Sequence, residues 1–218
     1  MNIIKHSYNW RNALKKRART DYIIYHHIGA VSGTVEGIHK YHRDTRGWSG
    51  IGYNFVIYKN GTIHEGRGLE YVGAHCTDYN SVSVGVAVVG EYENLEKEMP
   101  VAQYKALLEL TKYLKKVYPK AELKKHKDFA NTDCCGQYFP FDKVKNYEKS
   151  LTELSGKNSE VESMERYKTI EDVPEAYSDT VAKYVSSGVI KGRAGNILDL
   201  SEDMCRMLVY VDRILGGK

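Results

Sequence analysis

The chain has 218 residues, 42% of them hydrophobic, with a formal net charge of +4. That is ample apolar material for a buried core, which excludes a mostly disordered chain. The longest apolar runs, such as residues 82–89, fall far short of the roughly 20 residues needed to cross a bilayer, so no membrane span is expected. Charge is unevenly distributed: residues 1–150 carry 23 Lys and Arg against 16 Asp and Glu, and residues 151–218 carry 9 against 12. The asymmetry points to two domains, 1–150 and 166–218. The acidic, polar stretch 151–165 reads as a linker with some helix at its start. The first residues lack the apolar segment and cleavage site of a secretory signal. The expectation is a chain made in the cytoplasm that needs a separate route out.

In chain order, the first strong element is Tyr22 to Ile28, β-branched and aromatic, ended by Gly29 and read as a central strand. A helix is expected from Thr34, with Ile38 and Tyr41 on one face. Residues 47–52 form a glycine-rich loop before a second strand, Tyr53 to Tyr58. Asn60-Gly61 signals a hairpin returning through Thr62 to Glu65. Residues 81–89 are apolar enough for a strand buried on both faces. Pro100 to Tyr118 is the clearest helix, with Val101, Tyr104, Leu107, Leu108, Leu114 and Val117 at helical spacing. Strands alternating with helices imply a mixed α+β domain, a central mixed β-sheet flanked by helices. The tail carries two helical patterns, Tyr177 to Ser187 and one from Ser201 with Met204, Leu208, Val211 and Leu215, giving a small, mainly helical C-terminal domain. About 50 residues make a small core, so a partner surface or self-association through 166–218 would help to complete it.

Four cysteines, Cys76, Cys134, Cys135 and Cys205, do not resemble a secreted disulfide framework. In a reducing compartment each is a metal ligand, a nucleophile or apolar filler. His126 and Cys134, eight residues apart after the long helix, carry little weight alone. They gain it from His26, which alternation places with Tyr22 and Ile24 on one side of its strand, Tyr25 and His27 facing the other. A His-His-Cys set leaves the fourth tetrahedral position of one Zn²⁺ open, as in catalytic zinc sites. Cys135 offers a second thiol that could take the place of Cys134.

Several motifs then fall in a recognisable order. They are Tyr25-His26-His27-Ile28, Gly47-Trp48-Ser49-Gly50-Ile51-Gly52-Tyr53-Asn54-Phe55, Asn60-Gly61 through Gly66-Arg67, Gly73-Ala74-His75, Asn80 with Ser83-Val84-Gly85, and His126 through Cys134. Together, over roughly residues 10–147, they resemble the zinc-dependent N-acetylmuramoyl-L-alanine amidases shared by phage lysozyme-like enzymes and animal peptidoglycan recognition proteins. The resemblance implies His26, His126 and Cys134 as zinc ligands. It implies catalytic roles for Tyr53 and for Thr132, which stands where some members carry lysine. It places Trp48, His75 and Asn80 along the substrate groove. The family's usual Cys-Pro-Gly is here Cys134-Cys135-Gly136. The implied reaction is hydrolysis of the amide between N-acetylmuramic acid and L-alanine in bacterial peptidoglycan, and no nucleic acid partner is expected. Physical chemistry suits these roles: Tyr53 can donate to a developing oxyanion, whereas Thr132 can donate or position water without adding positive charge. Asp128 is expected as a local hydrogen-bond acceptor and Glu65 as a partner of Arg67. His6, His39, His42 and His64 are background, with the alternative that one of them lies near the groove.

The tail from Ile170 to Gly192 and from Leu198 to Met204 is similar to short modules appended to clostridial and phage wall hydrolases. It implies targeting to secondary wall polymers, or assembly. The whole resembles a phage endolysin that acts on the wall after release. A bacterial autolysin or prophage amidase of the same chemistry, or a binding protein without hydrolysis, are the alternatives.

Overall fold

The computed structural model describes residues 1–162, 166–191 and 198–214, with the backbone alone given for 156–162. The chain divides into two compact units, Met1–Leu154 and Ser155–Lys218.

In the first unit β1 (Ile3–Ile4) and β2 (Tyr22–His27) precede α1 (Val35–Lys40). Thr34 caps α1, its hydroxyl accepting from the Gly37 N–H at 3.1 Å. The helix does not simply continue to Tyr41. It widens into a π-helical turn over Tyr41–Thr45, leaving Tyr41 half exposed and His42 buried. There follow β3 (Phe55–Ile57), β4 (Ile63–Glu65), β5 (Ser83–Val88), α2 (Val101–Val117), β6 (Glu122–Lys125), α3 (Phe141–Lys145) and α4 (Tyr147–Glu162). The segment from 151 to 162, read as the linker with some helix at its start, is helical throughout as part of α4, and Leu151 and Leu154 pack on the first unit's core. Residues 163–165 lie outside the described residues.

The sheet runs β1-β4-β3-β5-β2-β6. All pairs are parallel except β3 with β4, the hairpin that Asn60-Gly61 turns. β5 is buried at every position, and Ile23 to His26 of β2 are buried as well, as expected for central parallel strands covered on both faces. On one face Ile23, Tyr25, Val84, Val86 and Val88 meet Leu107, Leu110 and Leu114 of α2. On the other, Val56, Ala87, Val35 and Ile51 form a smaller cluster beside which the glycine-rich loop sits.

The face of α2 differs from the one its apolar spacing suggests. Val101 is 69% exposed and Val117 also faces solvent, while Gln103 and Thr111 are fully buried. Gln103 is accommodated because it donates to the carbonyls of Ile57 (2.9 Å) and Val89 (2.8 Å) and accepts from the Tyr92 hydroxyl (2.5 Å). A buried amide is tolerated when its donors and acceptor are all satisfied.

In the second unit β7 (Arg166–Tyr167) pairs antiparallel with β8 (Leu200–Ser201), beside α5 (Glu175–Ser186) and α6 (Glu202–Ile214). Gly188, at φ 72°, lies just beyond the end of α5, its N–H bonded to Val185. Tyr167, Val173, Val181, Leu200 and Cys205 form a separate core. Leu208 packs on it, but Met204 and Val211 remain substantially exposed, and Leu215 lies outside the described residues. Among the described residues no helix is long and apolar enough to cross a membrane.

Candidate metal centre

The site is built at the C-terminal ends of two neighbouring parallel strands. β2 and β6 pair in constant register, Tyr22 opposite Glu122 through Tyr25 opposite Lys125. The residue that follows this paired stretch is a histidine on each side, His26 within β2 and His126 just past the end of β6, and their ring centroids lie 4.6 Å apart. Such strand ends are where open α/β sheets place their ligands. From His126 a short 3₁₀ turn begins, held by the Asp128 carboxylate accepting from the Lys125 N–H at 2.8 Å. The loop beyond it brings back Cys134, whose carbonyl accepts from the Lys127 N–H at 2.9 Å.

His26, His126 and Cys134 offer one ligand atom each, and the three atoms lie within 4.8 Å of one another. His26 Nδ1 faces the Cys134 sulfur at 3.6 Å, and the thiol also reaches the His27 carbonyl at 3.7 Å. Burial holds His26 well below the usual imidazole pKa, and the neighbouring His75 and His126 add to the effect. Burial lowers His126 too, so both rings offer lone pairs at neutral pH. Burial pushes the Cys134 thiol up to about 12, against the small opposing effect of the His27 carbonyl contact. A cation entering here takes the place of that proton. The donor set of two imidazoles and one thiol is one that zinc accepts, with a position to spare. Cys135 is not part of it: its side chain is fully buried in the hydrophobic core.

The three open onto a cleft of about 320 Å³ that also touches Tyr53, His42, Arg46 and Trp48. The Tyr53 ring lies 5.3 Å from that of His26. Burial, and then the Cys134 thiol, raise its pKa, so the phenol stays a proton donor. Trp48 packs 4.7 Å from His42, with the Arg46 guanidinium 5.8 Å above its ring.

The other two residues expected along the groove differ in placement. Asn80 does not line the cleft; its side-chain oxygen accepts from the N–H groups of His75 (2.7 Å) and Cys76 (3.0 Å), bracing that loop. His75 borders the cleft but is only 7% exposed, and its Nδ1 lies 3.0 Å from His26 Nε2. Thr132 is half-buried, its hydroxyl accepting from the Cys134 N–H at 3.3 Å. Arg67 donates to the carbonyls of Ile51 (2.7 Å) and Val72 (2.8 Å) rather than pairing with Glu65. His27 accepts from the Tyr92 N–H at 3.0 Å, a structural role.

His42 and Arg46 were not singled out by sequence. Their only signal was proximity to Gly47-Trp48, and the π-helical turn that aims them at the cleft has no sequence signature of its own. The Gly52 N–H donates to His42 Nδ1 at 3.0 Å. Burial, then Arg46 and Arg67, push His42 down to about 4, so it stays neutral and presents its other nitrogen as a donor.

Residues 16–137 match the family described as N-acetylmuramoyl-L-alanine amidase. The chain is 38% identical over 126 residues to an endolysin of Klebsiella phage KP32, covering 55% of this chain and 82% of that one. It is 32% identical over 146 residues to peptidoglycan-recognition protein SC2 of Drosophila melanogaster, covering 62% and 79%. Among solved structures it is similar to the N-acetylmuramoyl-L-alanine amidase LysC from Clostridium intestinale. That likeness has a TM-score of 0.63 and 36% identity, covering 68% of this chain and 98% of LysC. With more than half of its length matched, and the same fold in a solved amidase, the chain belongs to the N-acetylmuramoyl-L-alanine amidase family.

Proposed function

We propose that this protein is a peptidoglycan hydrolase that cleaves the amide between N-acetylmuramic acid and the L-alanine of the stem peptide, using one zinc ion held by His26, His126 and Cys134. The observation that carries the reading is the convergence of those three ligand atoms within 4.8 Å at the foot of a cleft, in a chain of this family. Bound there, zinc supplies Lewis acidity and lowers the pKa of water to about 7. Tyr53, kept protonated by burial, donates to the carbonyl oxygen of the scissile amide as negative charge grows on it. Thr132 braces the Cys134 loop as an acceptor and retains a hydroxyl proton that it can donate. Trp48 supplies an apolar wall, and Arg46 and His42 supply donors to the polar groups of sugar and peptide.

The setting is that of a bacteriophage endolysin acting on the host wall after release, since relatives so named align with the catalytic unit. The second unit would bind secondary wall polymers or join copies of the chain. Relatives named as recognition proteins raise a binding role without hydrolysis. The complete His-His-Cys set favours hydrolysis. The test is mass spectrometry of purified peptidoglycan after digestion. Expected is release of stem peptides with free L-alanine amino termini, lost on chelation and restored by zinc. Intact stems with fully zinc-loaded protein would overturn the proposal.

A further inference from the structure

A chain of hydrogen bonds runs from the main chain to His26 Nε2, the ring nitrogen opposite the one that faces Cys134, and followed from its main-chain end it has one consistent set of directions. The Ser83 hydroxyl lies 2.7 Å from the Tyr79 carbonyl, which can only accept, so Ser83 spends its one proton there. Towards His75 Nε2, at 3.4 Å, Ser83 must therefore accept, which puts the His75 proton on Nε2. A neutral His75 then has a bare Nδ1, and across the 3.0 Å contact it accepts from His26 Nε2–H. His26, with its proton on Nε2, is left with a bare Nδ1, the atom that faces Cys134.

We infer that His75 is a positioning residue of the metal centre: through Ser83 and His75 the Tyr79 carbonyl sets the tautomer and ring angle of His26, so that Nδ1 is the nitrogen offered to the cation. The packing around His75 serves this purpose. A Cβ at Gly73 would stand 2.3 Å from the His75 Cδ2, and one at Gly85 would stand 2.4 Å from it. Both positions leave room for the ring. Asn80 clamps the His75 backbone from the other side of the loop. A ring so enclosed is held at a fixed angle to His26.

The inference rests on the metal reading above, but part of its test needs neither metal nor substrate. In the full chain freed of metal, long-range proton–nitrogen NMR should show His26 and His75 both protonated on Nε2. Zinc affinity, measured by competition with a chromophoric chelator, should fall roughly 10- to 100-fold in His75→Ala, the usual range for a lost partner of a metal-binding imidazole. His75→Asn, whose side-chain oxygen can stand in for Nδ1 as acceptor, should recover most of that loss. Should His75→Ala fail to fold, Ser83→Ala takes its place, with a smaller loss of affinity and a changed His75 tautomer. A wild-type His26 protonated on Nδ1, a His75→Ala variant binding zinc as tightly as wild type, or an Asn variant no better than Ala would each overturn the inference. A chain with the stated tautomers that leaves peptidoglycan intact would refute the hydrolase and keep the relay.

Discussion

Gly85→Ala isolates the role of empty space beside His75. Gly85 lies inside β5, opposite Ile24, and its backbone is not in the left-handed region, so alanine meets no backbone objection. The added methyl would stand 2.4 Å from His75 Cδ2, 2.5 Å from Cγ and 2.7 Å from Nε2. Carbon atoms rest at about 3.5 Å or more, so the ring must retreat by about 1 Å. A retreat of that size from a 3.0 Å hydrogen bond breaks it. Overpacking of this kind costs about 1–3 kcal/mol. For a unit of this size, 2 kcal/mol lowers the melting temperature by about 4–8 °C. Thermal unfolding of the metal-free protein reads that cost, and a chelator competition reads the accompanying loss of zinc affinity. The decisive control is a double-mutant cycle with His75→Ala, because the methyl is harmless once the ring is gone. If Gly85→Ala melts like the wild type, or if its cost persists unchanged without the His75 ring, the packing argument is wrong.

Other outcomes follow from single residues. Tyr53→Phe should lower turnover on purified peptidoglycan by about 10²–10³ while zinc affinity stays at the wild-type value, since the phenol is a donor and not a ligand. Gln103→Met should destabilise the first unit by about 2–4 kcal/mol in urea titration, because it strands the Tyr92 hydroxyl and removes donors to two carbonyls. His42, buried beside Arg46 and Arg67, has a folded pKa of about 4 against 6.5 in the unfolded chain. The unfolded chain therefore takes up the proton first, and stability is full above about pH 6.5 and lost progressively towards pH 4. Discounted for solvent screening of the Arg46 and Arg67 charges beside it, this one group should cost about 1 kcal/mol between pH 7 and pH 5. The comparison is with His42→Asn, which keeps an acceptor for the Gly52 N–H and removes the titration; identical pH slopes in urea melts would contradict it.

What the sequence made legible is what hydrophobic burial writes into it. β2 and β5 announce themselves because central parallel strands must be apolar on both faces. Thr34 and Asn60-Gly61 announce a helix start and a turn because few residues do those jobs. β6 was silent for the complementary reason. It is an edge strand, Glu122-Leu123-Lys124-Lys125, whose three charged residues, exposed or half-buried, resemble a loop in sequence. The face of α2 was misjudged at Val101 and Gln103 because spacing counts apolar residues, whereas a glutamine with all its hydrogen bonds made can displace a valine from the core. The continuation of α4 through 151–162 had little apolar content to signal it.

The site repeats that division between residue identity and direction. Two histidines and a cysteine can be named as a ligand set from residue chemistry, but nothing in their spacing says how they meet. The meeting depends on β6, the strand that could not be read, whose register against β2 sets His126 beside His26. A slip of one residue in that register would turn the His126 side chain to the opposite face of the sheet and leave the set with two members. His75 shows the same limit. Its place in Gly73-Ala74-His75 was visible, and a groove role was the natural reading. The facts behind the positioning role proposed above are a 3.0 Å contact behind His26 and two glycines packed on the His75 ring, one of them in β5. On the proposal made above, the orientation of His26 depends on a residue set behind it, and that arrangement becomes visible only once the strands are laid side by side.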